Sequence, residues 1–190
     1  MRKALLSLSV LAIALLSASA WADPYADTVQ LFKNAGESAS FFKNSYGYAV
    51  FPTIGKGAFV VGGAHGKGQV YKQGKYVGDS TLTKVSVGLQ AGGEAYSQII
   101  FFQDKRAFDE FTSGNFEFGA GMNAVLITAA AGGEAGTTGA NANVSGGNKD
   151  ATTAGAYHKG MAVFTIVKGG AMYEASVSGQ KFSYTPRKNS

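Results

Sequence analysis

The sequence predicts an α+β fold: a Gly-rich antiparallel β-sheet or barrel with an N-terminal amphipathic helix and a short mid-chain helix. Three observations carry that expectation. The 190 residues include 27 glycines, all after Ala22, but only three prolines (Pro24, Pro52 and Pro186), a balance suited to β-structure with tight turns and bulges. Apolar residues recur at helical spacing between Tyr25 and Phe42. Beyond them, β-type runs follow at spacings of about 8 to 12 residues with glycines between.

The first segment reads as an export signal. Arg2 and Lys3 precede the uncharged apolar run Ala4 to Leu16, and small residues ending Ala20-Trp21-Ala22 follow, the layout of a cleaved signal peptide with its cut expected after Ala22. The run is shorter than the ~20 apolar residues of a spanning helix. Removing residues 1–22 leaves 168 residues (190 less 22), the size of a single domain over 23–190. The expected location is the periplasm or cell envelope. No cysteine is present, so neither a disulfide framework nor a lipidated N-terminal cysteine is available.

Asp23-Pro24 is a helix start, with Asp as cap and Pro in the first turn. From there Tyr25, Val29, Phe32, Ala35, Ala39 and Phe42 form one apolar stripe, widened by Leu31 and Phe41, on a helix expected to reach about Asn44 and to break or bend near Gly36. That stripe can either cover one end of the sheet or lie on a membrane. Strands are expected at 48–51, 58–62, 69–72, 76–77, 84–91 and 97–102. Asp104 caps a short helix through Phe111, with Gly114 as its stop. Further strands are expected at 123–128, 161–167, 171–176 and 180–184, and 132–155 reads as a long Gly, Ala, Thr and Asn loop.

Two Gly-Lys-Gly sites, Gly55-Lys56-Gly57 and Gly66-Lys67-Gly68, read as turns, with at least one glycine of each expected at positive φ. Gln73-Gly74 reads as a two-residue hairpin loop that sets Lys72 opposite Lys75. Without residues 1–22 the chain holds 15 basic and 12 acidic residues, a net charge of +3 that does not by itself suggest nucleic acid. The charge is unevenly spread: Lys43, Lys56, Lys67, Lys72, Lys75 and Lys84 are accompanied by one acid, Asp79. A basic face or end follows.

Familiar chemistry does not fit these residues. Gly62-Gly63-Ala64-His65-Gly66-Lys67-Gly68 lacks both the spacing and the Ser/Thr of a phosphate-binding P-loop, and it leads into β-type residues instead of a helix. A Gly-x-Gly-x-x-Gly dinucleotide fingerprint is also missing at both Gly-Lys-Gly sites. His65 and His158 stand far apart without metal-ligand spacing, and no Gly-x-Ser-x-Gly elbow occurs. The expectation is a protein without catalysis, cofactor, metal or nucleotide.

Ala49-Val50-Phe51-Pro52-Thr53-Ile54, Lys56-Gly57-Ala58-Phe59, Gly62 to Gly68 and Tyr71-Lys72-Gln73-Gly74-Lys75 together resemble the SYLF lipid-binding domain. The likeness continues through Val87 to Gly93, Ile99 to Phe102, Ala107-Phe108, Phe111 and Phe116 to Gly119, and covers about residues 30 to 184. The sequence departs from that pattern at Ser97-Gln98, where the family often has Asp, and at Ala129 to Gly132, in place of Gly-Pro-x-Gly. The resemblance implies binding of phospholipid or phosphoinositide through an amphipathic N-terminal segment and a basic surface. Some eukaryotic relatives also bind actin, for which an exported bacterial-type protein has no partner.

The reading is therefore a reversible peripheral binder of anionic phospholipids, with phosphoinositide-like, phosphatidylglycerol or cardiolipin-type head groups. Lys56, Lys67, Lys72 and Lys75 are expected to converge as one basic patch, and Phe32, Phe41 and Phe42 supply the apolar contact. The rival reading is a structural or interaction protein of the cell envelope, bound to a protein or polymer.

Overall fold

The computed structural model describes residues 23–57, 61–87, 94–129, 135–136, 157–168 and 177–188. The expected signal segment, the strand expected at 171–176 and most of the expected 132–155 loop lie outside them.

The chain enters through three short helices, α1 (Pro24–Asn34), α2 (Gly36–Ala39) and α3 (Phe41–Asn44), where one helix to Asn44 was expected. The Asp23 carboxylate accepts from the Tyr25 N–H at 2.9 Å, and Pro24 occupies the first turn. The break comes at Ala35, whose backbone is extended, immediately before Gly36. Ser38 holds it, its hydroxyl proton shared between the carbonyls of Phe32 at 2.6 Å and Ala35 at 2.9 Å.

Long strands follow: β1 (Gly47–Gly57), β2 (Val61–Lys72), β3 (Lys75–Val87) and β4 (Glu94–Phe102). After α4 (Lys105–Phe111) come β5 (Phe116–Glu117), β6 (Val125–Ala129), β7 (Ala135–Gly136), β8 (Met161–Val167) and β9 (Gln180–Pro186). Asp104 caps α4 through the Ala107 N–H at 2.8 Å, and Gly114 beyond it has positive φ. The nine strands form one sheet in the order β5-β9-β3-β2-β1-β4-β8-β6-β7. The α+β class holds, with one departure from antiparallel pairing: β6 runs parallel to β8. A parallel pair needs a long connection, and 31 residues, 130–160, separate these two strands in the sequence.

The sheet curls. Gln98 on β4 and Gln180 on β9 lie four strands apart, about 19 Å on a flat sheet at ~4.8 Å per strand. Their side-chain amides nevertheless bond directly, Gln98 Nε2 donating to Gln180 Oε1 at 2.9 Å and Gln180 Nε2 to Gln98 Oε1 at 3.2 Å. Phe51 on β1 likewise meets Phe182 on β9 at 5.6 Å between ring centroids. The concave interior holds Phe51, Ile54, Leu82, Tyr96, Ile100, Phe102 and Phe182, with α4 supplying Phe108 and Phe111. The convex face of β1, β4 and β8 carries Val50, Ile99, Phe101 and Phe164, and the three N-terminal helices cover it with Val29, Phe32 and Phe41.

The Gly-Lys-Gly segments are paired strand, which corrects their reading as turns. None of Gly55, Gly66 and Gly68 has positive φ; that conformation falls instead at Gly74, Gly114, Gly121, Gly160 and Gly179. The reason for glycine on β2 is closeness. A Cβ on Gly66 would lie 2.7 Å from Ile54 Cγ1, and one on Gly68 would lie 2.5 Å from the Phe51 ring. Glycine lets those two side chains lie against the neighbouring backbone.

Gly68→Ala should therefore destabilise the fold by about 1–3 kcal/mol, the usual penalty for overpacking. A Cβ on Gly55 meets nothing within 4 Å, so Gly55→Ala should be neutral or slightly stabilising. Urea unfolding of both variants checks this; equal midpoints would refute the packing explanation.

Candidate functional site

The β2–β3 hairpin turns through Gln73 at φ 49° and Gly74 at φ 77°, as a two-residue type I′ loop requires. Lys72 and Lys75 are register partners across it, as expected, and Tyr71 pairs with Tyr76 one step further in. Lys72 is half-buried, its ammonium 5.4 Å from the centre of the Tyr46 ring and 6.0 Å from that of Phe108. Cation–π attraction holds it there without a carboxylate. The ion pairs among the described residues are Lys105–Asp109, Arg106–Asp104, Arg106–Glu110 and Lys181–Glu117, and none of them uses Lys67, Lys72 or Lys75.

On the convex side of the same end an aromatic row crosses three strands. Phe42 packs edge-on to Tyr48 at 5.3 Å, Tyr48 stacks on Tyr71 at 4.9 Å, and Tyr71 meets Tyr76 at 6.0 Å. Cations close both ends of the row: Lys33 lies 5.5 Å from the Phe42 ring centre, and the Arg187 guanidinium lies 5.5 Å from that of Tyr76. Exposed Lys43, on α3 just before β1, and Lys188, after β9, add to the same end.

The four lysines do not converge as one patch. Lys72 and Lys75 come together, but Lys67 pairs with Thr53 on the exposed convex face, five residues back along β2, or about 16 Å. The backbone of Lys56 is further still, opposite Ala64 and Glu94 near the other end of β1. Alternation explains the split, since positions an odd number apart on a strand face opposite sides.

The three phenylalanines divide as well. Phe32 is fully buried and Phe41 nearly so, packed against Phe101 at 5.4 Å and Phe164 at 5.0 Å. Only Phe42 is partly exposed. The stripe is core in this conformation.

The tyrosine row has a local signal in the sequence. Tyr71-Lys72-Gln73-Gly74-Lys75-Tyr76 is symmetrical about its turn, so the loop that opposes two lysines must also oppose two tyrosines. Burial pushes the Tyr48 phenol up to about 12, with neighbouring Tyr71 adding to the effect. Burial alone does the same to Tyr157, also to about 12.

A family model described as Ysc84, Las17-binding protein actin regulator, matches residues 83–190, more than half of the chain. The chain belongs to the SYLF family. Beta cell expansion factor A from Aeromonas veronii is 30% identical over 162 residues, which cover 83% of this chain and 53% of that protein. The chain thus spans about half the length of that relative. The SYLF model match begins within β3, so the Gly-Lys-Gly strands and the basic turn lie ahead of it.

Raised tyrosine pKa values give an alkaline stability limit. The folded state keeps Tyr48 and Tyr157 neutral above the ordinary value of 10.0, so their contribution is complete below pH 10 and is lost as pH rises towards 12. Tyrosinate absorbance should show two phenols ionising late, together with unfolding. Ionisation of every tyrosine near the ordinary value in a folded protein would contradict the packing around them.

Proposed function

We propose that this SYLF-family protein is an exported, non-catalytic binder of anionic phospholipid membranes that docks reversibly by the hairpin end of its sheet. The carrying observation is the Lys72–Lys75 pair. Like charges directly opposite on adjacent strands are destabilising, and among the described residues no carboxylate pairs with them. An external anion would. Half-buried Tyr46, Tyr48, Tyr71 and Tyr76 beside these lysines have the amphipathic form suited to a membrane–water interface.

Magnitudes set the strength. Lys43, Lys72, Lys75 and Arg187 at ~1 kcal/mol each near an anionic surface give roughly 4 kcal/mol, about a thousandfold in affinity, and salt screens it. Binding of this kind is peripheral. It leaves Phe32 and Phe41 in the core and needs only Phe42 and the tyrosines at the interface.

Flotation of the protein with phosphatidylcholine vesicles, with and without phosphatidylglycerol, tests the reading. Binding should require the anionic lipid and fall with salt, and Lys72→Gln/Lys75→Gln should weaken it about thirtyfold, the equivalent of two lost charges. Equal binding to both vesicle types, or an unaffected double variant, would refute it.

A further inference from the structure

A separate groove of about 410 Å³ opens on the convex side of β1 and β2, beside the start of α1. A bulge in β1 builds it. The register steps from Val50↔Gln69 to Thr53↔Lys67 on one side and from Phe51↔Gln98 to Ile54↔Tyr96 on the other, which leaves Pro52 outside both ladders. Pro52 has no N–H to lose, and its carbonyl accepts from the buried Ser97 hydroxyl at 2.7 Å. Thr53 is thereby exposed at the groove.

Cationic and neutral donors gather around Thr53. Lys168 Nζ reaches Thr53 Oγ1 at 3.2 Å, Lys67 is the strand partner of Thr53, and His65 is the partner of Gly55. Neither lysine enters any of the ion pairs found among the described residues. Among the described residues no carboxylate lines the groove; Asp23, which accepts from the Tyr25 N–H at 2.9 Å, and Asp79 act on its Tyr25 wall from outside the lining. Pro24 and Tyr25 form a wall. Gly55 leaves the floor open, since a Cβ there would meet nothing within 4 Å.

We propose that this groove binds a phosphate monoester. Two ammonium groups, an imidazole and a hydroxyl can serve the three unesterified oxygens of such a group, each a strong acceptor. The volume leaves space for the alcohol it esterifies. The site deepens the membrane reading if the ester is a lipid headgroup, yet it is physically separate from the hairpin end. Its ligand is either the head of a lipid such as phosphatidic acid or a soluble phosphate ester.

The test is an NMR titration of the full chain with inorganic phosphate and then glycerol phosphate. Saturable shifts are expected at Thr53, Gly55, His65 and Lys67. Lys67→Gln/Lys168→Gln should weaken them by about a hundredfold or more, as expected for two lost charge-assisted bonds. Gly55→Leu should block the groove without changing its charge, and Lys72→Gln/Lys75→Gln should leave the titration intact. Vesicles containing phosphatidic acid or phosphatidylglycerol then identify the source: groove variants that lose preference for phosphatidic acid point to a lipid head, and variants that bind both vesicles normally point to a soluble ester. Absence of saturable shifts, or a folded Gly55→Leu protein that titrates like wild type, would overturn the site. Persistent binding to phosphatidylglycerol vesicles in that case would leave the membrane reading standing. Groove titration without any vesicle binding would remove the membrane reading and keep the site.

Discussion

Gln98 and Gln180 face each other across the interior of the curled sheet, each amide donating to the other's carbonyl at 2.9 and 3.2 Å. Gln180 Nε2 also lies 3.3 Å from the Tyr96 hydroxyl. Both glutamines are essentially inaccessible, at 0% and 1% exposure, so an unpaired amide there would cost about 1–3 kcal/mol. The pair can be satisfied only while β4 and β9 stay within reach. It therefore ties β4 to β9 across the interior, alongside apolar contacts such as Phe51 with Phe182. Ser97-Gln98 stands where the SYLF pattern often has Asp, and the exchange is chemically informative: an ionised carboxylate only accepts, whereas an amide can accept and donate in the same contact.

Curvature decides what reaches each surface. The curl brings Phe51 against Phe182, and the packing of Phe51 and Ile54 against β2 leaves no volume for side chains at Gly66 and Gly68. With the interior filled, the N-terminal helices must cover the convex face, and Phe32 and Phe41 are spent there. Left outside, among the described residues, are the tyrosine row and lysines at the hairpin end and the bulge groove around Thr53.

Much of this was legible in the sequence, and the failures share a cause. Capping chemistry placed the starts of α1 and α4, and the demands of a type I′ loop on Gln73-Gly74 fixed the register of Lys72 against Lys75. These are local signals. The Gly-Lys-Gly segments misled because glycine marks either a turn or a close approach, and only the position of Phe51 and Ile54 on the next strand distinguishes them. The basic patch misled in the same way, since sequence proximity ignores which side of a strand a residue takes. Lys168, far along the chain, could not have been joined to Thr53 without knowing the sheet order, and the partnership of Gln98 with Gln180 is equally non-local.

The bridge that the amide pair makes across the curled sheet is the claim on which the rest stands, and a double-mutant cycle measures it. Gln98→Leu and Gln180→Leu should each destabilise by about 1–3 kcal/mol, because each strands one buried amide, while the double variant should be nearer to wild type than the sum of the two, with a coupling of about 0.5–3 kcal/mol. Strict additivity, with each substitution close to neutral, would show that the two glutamines do not hold β4 and β9 together across the curl.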